Sequence, residues 1–183
     1  MRIISGKSRG TKLYTLEGYE VTRPTLDRVK EALFSKINME LKDAIILDLF
    51  SGSGALGLEA LSRGAKKAYL VDNSSKAIKV IEQNVQKTKF ENEAIVLKDD
   101  YLNCLQKFKS KNIKFDFIFL DPPYKSEYAI KSIKFILENN LLSDIGRIIV
   151  ETDIEEDILN TIKQMKLDIN DIKKYGRVTL IFI

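Results

Sequence analysis

Short apolar runs and helical periodicities alternate along most of this chain. From Ala44 onward strands are predicted at Ala44–Phe50, Lys67–Val71, Ala94–Leu97, Phe115–Leu120, Arg147–Glu151, Asp168–Lys173 and Val178–Ile183. Helices fit between them at Ala55–Arg63, Lys76–Lys89, Tyr101–Lys109, Tyr128–Glu138 and Glu155–Met165. Such alternation predicts an α/β fold, a parallel sheet with helices on both faces. Tyr175-Gly176 leaves no room for a crossover helix, so the last two of the seven strands should pair antiparallel. Residues 1–13 alternate loosely around Gly6 and Gly10, as a short β-hairpin does. Thr25, after Pro24, is placed to cap a helix from Leu26 to about Asn38. The pattern divides the chain into an extension, residues 1–42, and a domain, residues 43–183.

The first strand of that domain runs into Asp48-Leu49-Phe50-Ser51-Gly52-Ser53-Gly54-Ala55-Leu56-Gly57. This is Gly-x-Gly-x-x-Gly in a strand–turn–helix setting. Gly52 and Gly54 permit a tight turn and close approach of a ligand to the backbone, and Gly57 permits close helix–sheet packing. Asp72 ends the second strand, where an acid can accept from two ribose hydroxyls. A nucleoside cofactor is expected, and both NAD and S-adenosylmethionine carry the ribose. Three details favour S-adenosylmethionine. Asp48, ahead of the turn, suits a methionine ammonium and would repel a pyrophosphate. Asp99-Asp100 ends the third strand, where Asp100 can accept from an adenine amino group; Asp99 reads more simply as a solvated turn residue. The third detail is the loop that ends the fourth strand. Phe50, Ser51, Asn73 and Tyr101 flank these positions and complete the candidate cofactor set.

That loop is Asp121-Pro122-Pro123-Tyr124, directly after the apolar run Phe115–Leu120. Open α/β sheets bind ligands at the carboxyl ends of their strands. Two prolines in a row have fixed φ and no N–H, so the loop offers carbonyl oxygens and almost no donors. The Asp121 carboxylate is acceptor-only when ionised, and Tyr124 adds a flat face. Acceptors beside a stacking ring suit a planar molecule that donates N–H, such as a nucleobase with an exocyclic amine. An aromatic amine is a poor nucleophile because its lone pair is delocalised. Accepting both of its hydrogens, at Asp121 and at the Pro122 carbonyl, would draw the nitrogen toward a tetrahedral shape. The lone pair then points at the methyl group of a sulfonium. Asp121, Pro122, Pro123 and Tyr124 are therefore the candidate catalytic residues.

Composition narrows the chemistry further. The 183 residues include no His and one Cys, Cys104. That excludes His-based nucleophile systems and argues against a zinc site; no metal is expected. No apolar stretch approaches the roughly 18 residues of a membrane span, and the start lacks a signal-peptide core, so a cytoplasmic protein is expected. The formal charge of +4 lies in residues 1–42, with nine Lys/Arg against five Asp/Glu. Arg2, Lys7, Arg9 and Lys12 fall there with no acid among the first sixteen residues. A localised basic patch is the footprint of nucleic-acid binding or simply a solvated terminus.

The chain resembles, over nearly its whole length, a family of bacterial 16S rRNA guanine-N2 methyltransferases, those designated type D among the enzymes that modify the small ribosomal particle. Arg2-Ile3-Ile4-Ser5-Gly6 with Arg9-Gly10-x-Lys12-Leu13 is similar to their opening hairpin. Thr22-Arg23-Pro24-Thr25-x-Asp27-Arg28-Val29-Lys30-Glu31-Ala32-Leu33-Phe34 is similar to their most specific signature. The glycine loop, extended through Ala65, resembles their cofactor motif, and Asp121–Tyr124 their catalytic motif. The resemblance implies a Rossmann-like class I methyltransferase fold. It also implies S-adenosylmethionine as cofactor and a guanine of 16S rRNA as substrate, in a partly assembled small ribosomal subunit. It gives Arg23, Thr25 and Arg28 an RNA-contacting role. Asp72 stands where many relatives carry Glu, and the Asp100 position varies. A monomer is expected, since no long amphipathic seam is spare. Three other readings remain. A DNA adenine-N6 methyltransferase would share the loop, but the chain has no room for a DNA-recognition domain. A NAD-binding oxidoreductase leaves the acceptor loop unexplained. A non-catalytic RNA-binding assembly factor would not need that loop intact.

Overall fold

The computed structural model describes residues 1–16, 23–122 and 126–183, without the side chains of residues 23–26 and 126. Seven strands form one sheet in the order β3-β2-β1-β4-β5-β7-β6. They are β1 (Ile45–Asp48), β2 (Lys67–Asp72), β3 (Ala94–Lys98), β4 (Phe115–Leu120), β5 (Leu142–Thr152), β6 (Asp171–Tyr175) and β7 (Val178–Phe182). The first five run parallel, and β7 lies antiparallel between β5 and β6. The helices are α1 (Arg23–Ile37), α2 (Ala55–Ser62), α3 (Ser75–Thr88), α4 (Tyr101–Ser110), α5 (Ser126–Glu138) and α6 (Glu155–Gln164), with a 3₁₀ turn at Asn38–Glu40.

Each strand sends alternate side chains to opposite faces, and two apolar clusters result. Ile46, Leu70, Phe119, Ile149 and Leu180 point to the face carrying α1, α2 and α3. Leu47, Val71, Leu120, Val150 and Ile181 point to the face carrying α4, α5 and α6. Strands buried on both faces read as continuous apolar runs, which is why Phe115–Leu120 is legible to the residue. The chain steps outward from β1 to β2 and β3, then returns to β4 on the other side of β1. The crevice between the ends of β1 and β4 is the switch point where such sheets hold ligands.

Four expected elements are adjusted. Helix α1 starts at Arg23, so Thr25 lies inside it and does not cap it; Pro24 is tolerated because first-turn N–H groups have no intrahelical partner. The N-terminal hairpin is reduced to one bridge, Arg2 to Lys12. Backbone bonds still close it, Ile3 N–H to the Thr11 carbonyl at 2.9 Å, Gly10 N–H to the Ile3 carbonyl at 2.8 Å and Leu13 N–H to the Met1 carbonyl at 3.1 Å, while Lys7 N–H donates to the Ser62 carbonyl at 2.8 Å and the Ile4 and Ser5 N–H groups donate to Glu59. β5 begins five residues earlier than the apolar run suggests, with an irregularity opposite Phe115–Phe117. β6 starts at Asp171, not Asp168, because the tight Gly176-Arg177 turn sets its register from Tyr175 opposite Val178.

The described residues before Asp43 share the core of the domain. Ile3, Leu13, Val29, Leu33, Phe34 and Ile37 join the same cluster as Ile46 and Leu58. Glu59 of α2, fully buried, holds this part in place. Its carboxylate accepts from Ile4 N–H at 2.8 Å, Ser5 N–H at 3.0 Å and Arg63 Nε at 2.8 Å, and pairs with Lys30 Nζ of α1 at 3.1 Å. Every lone pair of a buried carboxylate is then in use, the condition under which such a charge is tolerated. Among the described residues, no helix is long and apolar enough to cross a membrane.

Candidate active site

The turn after β1 is built to leave space. Gly52 and Gly54 have φ of +56° and +77°, which only glycine adopts without strain. A Cβ placed on Gly52 would meet nothing within 4 Å, so the backbone there borders an open recess. Gly57 is the opposite case. A Cβ on it would lie 2.2 Å from Leu70 Cδ2, so any larger residue there would force the Leu70 side chain out of its place between α2 and β2. Gly54 precedes α2 with no capping side chain, which leaves first-turn N–H groups of the helix for a ligand or water.

Two carboxylates close on this turn. Asp48 is almost fully buried and accepts from Gly57 N–H at 3.0 Å. Burial, then the charges of Asp121 and Asp72, push its pKa up to about 7 against the lowering effect of the Gly57 bond. Asp72 accepts from Gly52 N–H at 2.9 Å and Ser74 N–H at 2.8 Å, one on each oxygen. Those bonds aim the carboxylate across the recess and leave each oxygen a lone pair for another donor. Asn73 is exposed beside it. Ser51 ties the turn down, its N–H donating to Val71 and its hydroxyl to the Asp48 carbonyl.

The third strand ends in two acids with local duties. Asp99 pairs with Lys107 at 2.6 Å, which holds its carboxyl below the usual range. Asp100 caps α4, its Oδ1 accepting from Leu102 N–H at 2.9 Å and Asn103 N–H at 3.4 Å; Oδ2 is the oxygen left for a ligand. Phe50, Tyr101 and Tyr128 pack as an aromatic group beside it, with centroids 5.4 Å (Phe50–Tyr101), 5.3 Å (Tyr101–Tyr128) and 6.5 Å (Phe50–Tyr128) apart. Nothing in the sequence pattern singles out Tyr128. It follows the Pro-Pro loop by only a few residues on α5, and only the fold brings its ring to Phe50.

β4 delivers Asp121 to the switch point, with Pro122 half-buried behind it. Asp121 opens to solvent at the strand end but is ringed by protein. That crowding, then the charge of Asp153, raises its pKa. Pro123 and Tyr124 lie outside the described residues. Glu151, at the end of the neighbouring strand, is a site residue that sequence reasoning misses; its signal is an acid ending a strand adjacent to the one that ends in Asp121. Its pKa is raised by burial, then by the Asp121 charge.

The basic candidates are spread along the molecule. Arg2, Lys7, Arg9, Lys12 and Arg28 are all exposed, and the Arg2–Lys12 bridge brings two of them together. Lys7 and Arg9 flank the Ser8 hydroxyl bond to the Thr88 carbonyl, at the ends of α2 and α3 away from the recess. The side chains of Arg23 and Thr25 lie outside the described residues. Asn84 joins the extension to the glycine turn: it accepts from Tyr14 N–H at 2.8 Å and donates to the Tyr14 carbonyl at 3.0 Å and the Ser53 carbonyl at 2.9 Å.

Comparison with known proteins agrees with this architecture. "Ribosomal RNA small subunit methyltransferase D" of Haemophilus influenzae is 38% identical over 160 residues, 87% of this chain and 82% of that one. The protein of the same name from Escherichia coli (strain K12) is 37% identical over 155 residues, 85% of this chain and 76% of that one. A solved Escherichia coli structure, "Putative methyltransferase yhhF", superposes with a TM-score of 0.81 at 29% identity, covering 100% of this chain and 96% of that one. The sheet and its antiparallel end are those of the Rossmann-like class I methyltransferase fold. Matching over residues 1–183, the chain belongs to the family described as Conserved hypothetical protein 95, in company with relatives named small subunit methyltransferase D.

Proposed function

We propose that this protein transfers a methyl group from S-adenosylmethionine to the exocyclic N2 amine of a guanine in 16S rRNA, acting in the cytoplasm as a monomer on a partly assembled small ribosomal subunit. The observation that carries the reading is the position of Asp121-Pro122, an acceptor-only strand end at the switch point, beside the Gly52 recess and its two oriented carboxylates. The names of the rRNA methyltransferase relatives support the substrate class.

The recess fits the cofactor. A buried Asp48 carboxyl with a raised pKa gains from an ammonium, and a pyrophosphate would meet repulsion there. Asp72 has lone pairs for two ribose hydroxyls, and Asp100 Oδ2 beside Phe50 and Tyr101 suits an adenine amine. The Gly52 backbone borders the space a nucleoside needs. Ser51 and Asn73 frame that space, and Gly54 and Gly57 shape it. When bound, the cofactor supplies an electrophilic methyl on a sulfonium.

The protein's part is to aim the nucleophile. The Asp121 carboxylate and the Pro122 carbonyl accept the two hydrogens of the amine, and Pro122 and Pro123 offer no competing N–H. Tyr124 stacks on the base once it has left its RNA neighbours. Asp121, open to solvent, takes the proton that the amine loses. Residues 1–42 form the RNA-contacting extension of a domain spanning residues 43–183, through Arg2, Lys7, Arg9, Lys12, Arg23, Thr25 and Arg28.

The test is transfer of labelled methyl to small ribosomal subunits and to free 16S rRNA from a strain lacking the protein, followed by nucleoside analysis. N2-methylguanosine is the expected product. Cofactor binding without label in either RNA would reject the substrate and make DNA adenine the next acceptor to try.

A further inference from the structure

Two carboxyl groups meet at the end of the sheet, and the proposed transfer uses only one. In the β4–β5 register, Leu120 pairs with Val150. The next residues along, Asp121 and Glu151, are therefore neighbours on strands about 4.8 Å apart. Phe119 and Ile149 point to the α1 face while Leu120 and Val150 point to the other. By the same alternation both acids point to the α1 face. Across β5, Glu151 is registered with fully buried Leu180, so its other flank is apolar.

No cation answers this pair among the described residues. The charges that act on it are acidic: Asp153, just past β5, acts on Asp121, and Asp121 acts in turn on Glu151 and on Asp48 of β1; α1, on the same face, carries Asp27 and Lys30. Lys30 is committed to Glu59 at 3.1 Å, and Asp27 faces Arg2 at 3.7 Å. Of the other basic residues on these and the adjoining strands, Lys36 pairs with Asp171, Arg147 with Glu40 and Lys173 with Asp171, and Arg28 is exposed to solvent. Two adjacent carboxylates with no counter-ion among the described residues do not both ionise freely.

We propose that Asp121 and Glu151 act as one carboxyl pair holding a single proton, with Glu151 the positioning residue that donates to Asp121 and aims it at the substrate amine. Glu151, half-buried, keeps the proton; Asp121, exposed, keeps the charge. The donation runs directly or through one water. It occupies one Asp121 oxygen and leaves the other for the amine N–H. In the transfer the N–CH3 bond forms, and the S–CH3 bond breaks with its electron pair left on sulfur. The proton from nitrogen then goes to Asp121, making the pair doubly protonated until Asp121 loses that proton to solvent. The inference rests on the amino-group reading proposed for this site.

Carboxyl-carbon NMR of ligand-free protein, labelled in Asp and in Glu separately, reads the pair without any reaction. The pair should titrate in two steps, with one carboxyl still protonated at pH 7. In Asp121→Asn the Glu151 midpoint should fall by about one pH unit or more. Both carboxyls ionised at pH 7 in the wild type, or an unmoved Glu151 midpoint, would overturn the proposal. Kinetics give a second readout. Glu151→Gln can donate but cannot ionise; with the cofactor saturating, so that its own amino group does not titrate in the profile, it should lower kcat a few-fold and abolish the alkaline fall in kcat/KM for RNA that Glu151 ionisation causes. Glu151→Leu can do neither and should lose on the order of a hundredfold in kcat. An alkaline fall that persists in Glu151→Gln overturns the proposal; if the Leu variant does not fold, the NMR titration and Glu151→Gln decide. A shared proton in a protein that methylates no guanine supports the pair and rejects the substrate reading instead.

Discussion

Cofactor binding should expel a proton, and Asp48 is the reason. The side chain is 2% exposed and its pKa is pushed up to about 7 by burial and by the charges of Asp121 and Asp72. At pH 6 such a group is protonated in about nine molecules of ten. A ligand ammonium brought against it lowers a carboxyl by about 1–3 units. A fall of about two units leaves one molecule in ten protonated at that pH, so binding should release about 0.8 proton per site. An α-amino group, with an ordinary pKa of about 7.7–8.0, stays charged at pH 6 and does not offset the release. Affinity should then rise about sixfold per pH unit near pH 6, flatten between about 7 and 8, and fall above that as the free amino group loses its proton. Titration calorimetry in buffers of different ionisation enthalpy measures the proton count directly. Asp48→Asn should bind more weakly and release none. Zero release or proton uptake by the wild type would refute the placement of the ammonium on Asp48. The same raised pKa has a consequence for stability. The folded state holds this proton more tightly than the unfolded chain does. The stability Asp48 contributes is therefore present below about pH 4 and lost as pH rises through about 7.

Three more outcomes test other parts of the structure. Asp121→Ala should abolish transfer while S-adenosylmethionine affinity, measured by calorimetry, changes little; full activity in that variant would remove the proposed chemistry. Glu59→Gln leaves Lys30 and Arg63 without their shared charge in a buried setting and should cost about 3–5 kcal/mol in denaturant unfolding; a loss under about 1 kcal/mol would mean the network is not what holds the extension. Replacing Arg2, Lys7, Arg9 and Lys12 by Ala should weaken RNA binding and flatten its salt dependence, whereas an unchanged salt slope would make the exposed N-terminal cations structural or solubilising only.

Legibility of the elements follows burial. β4 and the helices between strands are readable because both-face burial writes continuous apolar runs and one-face burial writes a 3.6-residue period. β5 reads short because Ser143 and Asp144 interrupt its run, and the polarity of Ser143 is answered only in the fold, where its hydroxyl donates to Asp116 at 2.7 Å. Asp99 reads as a solvated turn residue, whereas in the fold it is half-buried and pairs with Lys107 at 2.6 Å. The capping role of Asp100 is also local, since an acid before a helix caps it, yet a reading aimed at ligands passes over the cap.

What the sequence alone determined is what depends on neighbours along the chain. It set the alternation of strands and helices, the positive-φ glycines of the turn after β1, the donor-free Asp-Pro-Pro segment after β4, and the family. Only the tertiary structure decided which distant groups share a space. Glu59 on α2 became the anchor of residues 4, 5 and 30, Asn84 became the tie between Tyr14 and Ser53, and Tyr128 joined Phe50 and Tyr101. The same is true of Glu151 beside Asp121. Thirty residues separate them along the chain, and the parallel register of β4 and β5 brings them one strand apart. Charge at that range acts through space, so its effect is set by strand order and register, which no local pattern of residues encodes.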